Sequence, residues 1–171
     1  MTDVEHRESY HANGRLKTKA GYLDGELHGR WVEYLETGEL RKEGTYHDGL
    51  MDGKWIVYHP RGDAEFEGEY RHGQKHGRWV GYHASGELRY EGVFADDKCE
   101  GKWVEYYRNG EVKEEKNYQS GQLDGKWVYV DEGGQIRGQG TFVGGDGEWT
   151  EFDVEGRLTK VRTYREGVGT G

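Results

Sequence analysis

Six Gly-x-Trp triplets place every tryptophan of the chain in one register. They are Gly29-Arg30-Trp31, Gly53-Lys54-Trp55, Gly77-Arg78-Trp79, Gly101-Lys102-Trp103, Gly125-Lys126-Trp127 and Gly147-Glu148-Trp149, with tryptophan spacings of 24, 24, 24, 24 and 22 residues. Further columns follow the same period. Three residues after each tryptophan stand Tyr34, Tyr58, Tyr82, Tyr106, Val130 and Phe152. Seven after it stands a glycine, and nine after it Leu40, Ala64, Leu88, Val112, Ile136 and Leu158. Fifteen after it stand Tyr46, Tyr70, Phe94, Tyr118, Phe142 and Tyr164. A fixed period of this length means one supersecondary unit that buries itself against its neighbours. The sequence reads as one repeat domain over residues 1–171, with a partial repeat at 8–28. Repeats at 29–52, 53–76, 77–100, 101–124, 125–146 and 147–167 follow, and then a frayed tail at 168–171.

Each repeat reads as a β-hairpin. Pro60 is the sole proline and no apolar stripe of helical period occurs. Runs such as Trp31-Val32-Glu33-Tyr34 are rich in strand formers and bounded by glycine turns. Asn13-Gly14 and Asn109-Gly110 suit two-residue type I′ turns, in which both positions take positive φ. Counting from such a turn sets Arg108 against Glu111, Tyr107 against Val112, Glu105 against Glu114 and Trp103 against Lys116. It sets a glycine (Gly44, Gly68, Gly92 or Gly140) across from a tryptophan in four repeats, so that Trp79 would roof Gly92. Rings laid over bare backbone restore packing that glycine lacks. Tyr46 would lie beside Trp55, and Tyr70 beside Trp79. The expected fold is all-β, an elongated single-layer antiparallel sheet of consecutive hairpins.

Composition fits that reading and narrows function. Leu, Ile, Val and Phe together make up about 16% of the 171 residues, too few for a large aliphatic interior, whereas 23 residues are aromatic. The net charge of −9 disfavours nucleic acid and anionic membrane surfaces as partners. The opening Met1-Thr2-Asp3-Val4-Glu5-His6 lacks a basic-then-apolar export signal, and one cysteine cannot form an internal disulfide. A reducing, cytoplasmic setting is expected.

No motif marks catalysis, so the chain is expected not to be an enzyme and to need no cofactor. His59 and His83 share a column but would stand roughly 9.6 Å apart, too far for a common zinc ion. His72 and His76 lie in one connector, yet the His76 column reads as generic polar loop, and no metal site is expected. Cys99 shares a column with Leu27, Met51 and Leu123, with Lys75 as the exception, and reads as a small hydrophobe.

Residues 101 to 112, Gly-Lys-Trp-Val-Glu-Tyr-Tyr-Arg-Asn-Gly-Glu-Val, followed by Tyr118, Gly121 and Asp124-Gly125, resemble the MORN-repeat variant of bacteria. Chains built of this unit are often labelled YwqK-family antitoxins. The resemblance covers about residues 10 to 167 and departs at Asp97, Lys116, Val130 and the short connector Gly144-Gly145-Asp146-Gly147. It implies a single-layer hairpin sheet and a protein-binding module, with an antitoxin or immunity-like role. The expected partner is another protein, such as a toxin of basic or mixed charge. The expected contact residues are Trp55, Tyr70, Trp79, Phe94, Trp103 and Tyr118, with Tyr34, Tyr58, Tyr82 and Tyr106 as an alternative column. Carbohydrate or cell-wall binding by the aromatic ladder, and membrane-surface association, are the competing readings.

Overall fold

The computed structural model describes residues 3–170. It is all-β; among the described residues no helix is long and apolar enough to cross a membrane. The contacts divide the chain into two compact units, Met1–Gly86 and Glu87–Gly171, where the sequence reads as one domain. The first unit holds β1 (Glu5–Tyr10), β2 (Leu16–Leu23), β3 (Glu26–Tyr34), β4 (Leu40–His47), β5 (Leu50–Met51), β6 (Gly53–Tyr58), β7 (Ala64–Arg71) and β8 (Gln74–Tyr82). Its strands pair in chain order, with the short β5 beside β4. The second holds β9 (Leu88–Ala95), β10 (Lys98–Tyr106), β11 (Val112–Gln119), β12 (Gln122–Val130), β13 (Ile136–Val143), β14 (Asp146–Phe152), β15 (Leu158–Arg165) and β16 (Val168–Thr170), again paired in order. Every pairing is antiparallel, as each short turn requires. Residues 168–170, expected to fray, pair with β15, and Gly171 lies outside the described residues.

The type I′ turn expected at the inner Asn-Gly pairs is found instead in the connectors between hairpins. At Asn109-Gly110 the N–H of Tyr107 donates to Glu111 O at 2.8 Å, and the N–H of Gly110 to Tyr107 O at 3.0 Å. This is a three-residue loop with a bulge, and of the pair only Gly110 has positive φ (84°). The Asn109 side chain instead accepts the N–H of Glu111 at 2.9 Å, a local bond that fixes the loop without a left-handed asparagine. Trp103 faces Lys116 and Glu105 faces Glu114 as counted, but Val112 faces Tyr106 rather than Tyr107, and Arg108 lies within the loop. The type I′ turns sit in the connectors: Asp24-Gly25, Asp48-Gly49, His72-Gly73 and Ser120-Gly121 have positive φ at both positions.

A bulge beside the Gly-x-Trp glycine shifts the register by two residues, from Glu43↔Ile56 to Tyr46↔Met51. The last connector is two residues shorter, and there the pairing runs unshifted from Gly138↔Glu151 to Val143↔Asp146. The deletion removes the bulge and leaves the hairpin intact.

Candidate binding surface

One face of each unit carries the indole row. Trp31 lies opposite Gly44, Trp55 opposite Gly68 and Trp127 opposite Gly140. The ring that covers the bare backbone, however, comes from the following hairpin. A Cβ on Gly44 would fall 2.2 Å from Trp55, one on Gly68 2.2 Å from Trp79, and one on Gly92 1.8 Å from Trp103 rather than against Trp79. The cause is the indole N–H, which needs an acceptor once buried. It finds one on the preceding strand: Trp55 donates to Thr45 O at 3.1 Å and Trp79 to Glu69 O at 3.2 Å. Where Lys116 replaces glycine, its ammonium stands 4.9 Å from the Trp127 ring, whose N–H donates to Glu114 Oε1 at 2.6 Å. Without the final bulge, Trp149 covers Gly138.

The expected contact residues are therefore placed as packing elements. In the first unit Tyr70 meets Trp55 and Trp79 edge-on at 6.1 and 5.2 Å, and Tyr46 meets Trp55 at 5.2 Å. In the second Phe94 meets Trp103 edge-on at 5.4 Å. Trp55 and Trp79 are 5% and 3% exposed, so a partner cannot reach them without breaking the stack. Tyr70, Phe94, Trp103 and Tyr118 are half-buried, and burial pushes the Tyr118 hydroxyl up to about 12.

The opposite face carries a ladder of clasps. Glu43 accepts from Arg30 and from the Tyr58 hydroxyl, both at 2.8 Å. Glu67 pairs with Lys54 at 2.7 Å and accepts from Tyr82 at 3.3 Å, and Glu91 accepts from Tyr106 at 2.8 Å. The bond from Arg30 holds the Glu43 carboxyl below its ordinary range. Burial first, and the bond to Glu43 second, push the Tyr58 hydroxyl up to about 12. The alternative contact column Tyr34, Tyr58, Tyr82 and Tyr106 is half-buried, and three of its hydroxyls are engaged in this way. Beneath the clasps Val32, Val80 and Val104 are buried.

The ladder stops in the second unit. Val130 and Phe152 occupy the tyrosine column, Gln139 the glutamate column, and Glu148 a position elsewhere held by Lys or Arg. None of these can build the cation–carboxylate–hydroxyl clasp. In its place is an open concavity of about 720 Å³, floored by Val128, Ile136 and Gly140 and rimmed by Lys126, Gln139 and Glu148. The equivalent depressions of the first unit, at Gly44 and Gly68, hold about 270 and 260 Å³. Alongside runs an apolar column, Val112, Ile136 and Leu158, exposed to 36%, 45% and 61%, whose counterparts Leu16, Leu40 and Ala64 are half-buried. This surface was missed in the sequence. Its signal was the joint loss of tyrosine at 130 and glutamate at 139.

No curated protein matches this chain. Among solved structures, a crystal structure of a protein with unknown function from Bacteroides fragilis is similar over 94% of this chain and 91% of its own, at 9% identity and a TM-score of 0.18. Three stretches, residues 27–48, 75–96 and 100–120, match the family described as MORN repeat variant.

Proposed function

We propose that the chain is a non-catalytic, protein-binding repeat module that receives its partner on the clasp face of the second unit. The observation that carries this is the exposed column of Val112, Ile136 and Leu158 beside the 720 Å³ concavity, at the place where the repeat's own covering is absent. Contiguous apolar surface with a polar rim is the usual mark of an interaction site. The net charge of −9 suits a basic or mixed-charge partner and speeds encounter with it. An antitoxin or immunity-like role, in which that partner is a toxin, is the narrower form of the reading and follows from the resemblance to such chains.

The test compares the purified chain with its Ile136→Glu variant as baits in host extract, each capture read by mass spectrometry. One protein retained by the parent and lost by the variant supports the reading, and co-expression then asks whether the chain relieves that protein's toxicity. Identical captures from both baits would sink this surface. Retention on a glycan array or flotation with anionic liposomes would favour the sugar or membrane alternatives.

A further inference from the structure

Within each unit, connector turns are fastened to the one before. The second turn residue donates its N–H to a carbonyl of the preceding connector: Gly49 to Leu27, Gly73 to Met51, Gly121 to Cys99 and Gly145 to Leu123. The first turn residue donates its N–H to a carboxylate twenty positions earlier: His72 to Asp52 at 3.0 Å, Ser120 to Glu100 at 2.7 Å and Gly144 to Asp124 at 2.9 Å. The polar column that looked generic in sequence is thus a staple between turns.

At the first of these staples the chemistry changes. His28 occupies the carboxylate column, and Asp48, the first residue of its turn, offers its side chain to the imidazole. His28 Nδ1 lies 3.3 Å from Asp48 Oδ1, and His47 Nδ1 lies 3.3 Å from Asp48 Oδ2. The two imidazole rings are tilted against each other with centroids 5.0 Å apart. One ligating atom from each of the three residues lies within 4.8 Å of the others. The Glu26 carboxylate lies beside the same turn, 3.8 Å from where a Cβ on Gly49 would stand.

We propose that His28, His47 and Asp48 bind a divalent transition-metal ion of the zinc type. Two imidazoles and a carboxylate match the donor preference of such ions, and a water molecule completes a four-coordinate shell. Ligands about 2.0–2.1 Å from a tetrahedral ion stand roughly 3.3 Å from one another. Each imidazole already stands at that spacing from one oxygen of the Asp48 carboxylate, His28 from Oδ1 and His47 from Oδ2, so rotation of the rings and the carboxylate toward a common point completes the set. The backbone that presents the ligands is fixed, since Asp48 and Gly49 form the type I′ turn with φ of 48° and 77°. The site is not legible within a single column or connector, because these residues meet across the twenty-residue staple. The inference stands apart from the proposed partner surface, which lies in the other unit.

The experiment titrates zinc chloride into the full chain in non-chelating buffer, read by calorimetry and by the melting temperature. Binding at one site and a rise in melting temperature are expected. His28→Gln, His47→Gln and Asp48→Asn should each weaken binding about tenfold or more. Asp48→Asn preserves the turn, because asparagine tolerates positive φ, and so separates ligand loss from misfolding. His6→Gln, an exposed histidine on β1, should bind as the parent does. Absence of binding at millimolar zinc, or binding that survives all three substitutions, would overturn the proposal.

Discussion

A side chain added beneath a stacked indole has nowhere to go, and the direction of each ring decides which substitution is felt where. A Cβ on Gly92 would come within 1.8 Å of Trp103, so Gly92→Val must lift that ring from the sheet and disturb its edge-on contact with Phe94. Overpacking of this kind costs about 1–3 kcal/mol. The expected outcome is a lowered melting temperature together with a changed near-ultraviolet signal from an indole, while Gly110→Ala, with open space around its Cβ, meets only backbone strain. A melting temperature equal to the parent's would show that the ring does not rest on Gly92. Which residues oppose one another was legible from the spacing of tryptophan and glycine. Which ring covers which glycine was not, because that depends on the indole N–H seeking a carbonyl such as Thr45 O on the preceding strand.

At the scale of the element, the hairpins were legible as hairpins, and the error lay in where each turn type falls. Asparagine before glycine drew attention to the repeat's inner turn, whereas Asp24-Gly25 and Asp48-Gly49 in the connectors carry the same turn chemistry and take the type I′ conformation. A three-residue loop at the inner turn shifts only the residues next to it, so the counted pairs farther along the strands survive. The connectors also supply the next prediction. Ser120 holds φ of 50° at the first position of its turn, and its N–H, not its hydroxyl, donates to Glu100. Asparagine tolerates that conformation better than serine does. Ser120→Asn should therefore stabilise the protein by about 0.5 kcal/mol, the usual yield of matching a residue to its backbone conformation. Chemical denaturation would show a shifted midpoint at constant slope, and a loss of stability would mean that the serine hydroxyl contributes something the turn geometry does not require.

For the molecule as a whole, order is spread along the chain instead of being gathered in an interior. The accessible surface is 10486 Å², against about 8,600 Å² for a typical folded monomer of this mass, and Phe142 is the largest fully buried side chain among the described residues. Stability then follows the neighbour-to-neighbour logic of repeat proteins, in which a lesion loosens its own surroundings first. Gly44→Val tests this directly, because its Cβ would collide with Trp55 within the first unit. Amides of β3 to β7 should exchange with deuterium about tenfold faster or more than in the parent, and those of β11 to β15 should change little, as expected of sub-global opening. Within the first unit the strands are held to their neighbours by ring stacks, clasps and turn staples, so protection lost at Gly44 falls off along the strand order. Uniform acceleration across both units would instead reveal a single all-or-none transition, and the division of the chain into separately ordered units would carry no energetic meaning.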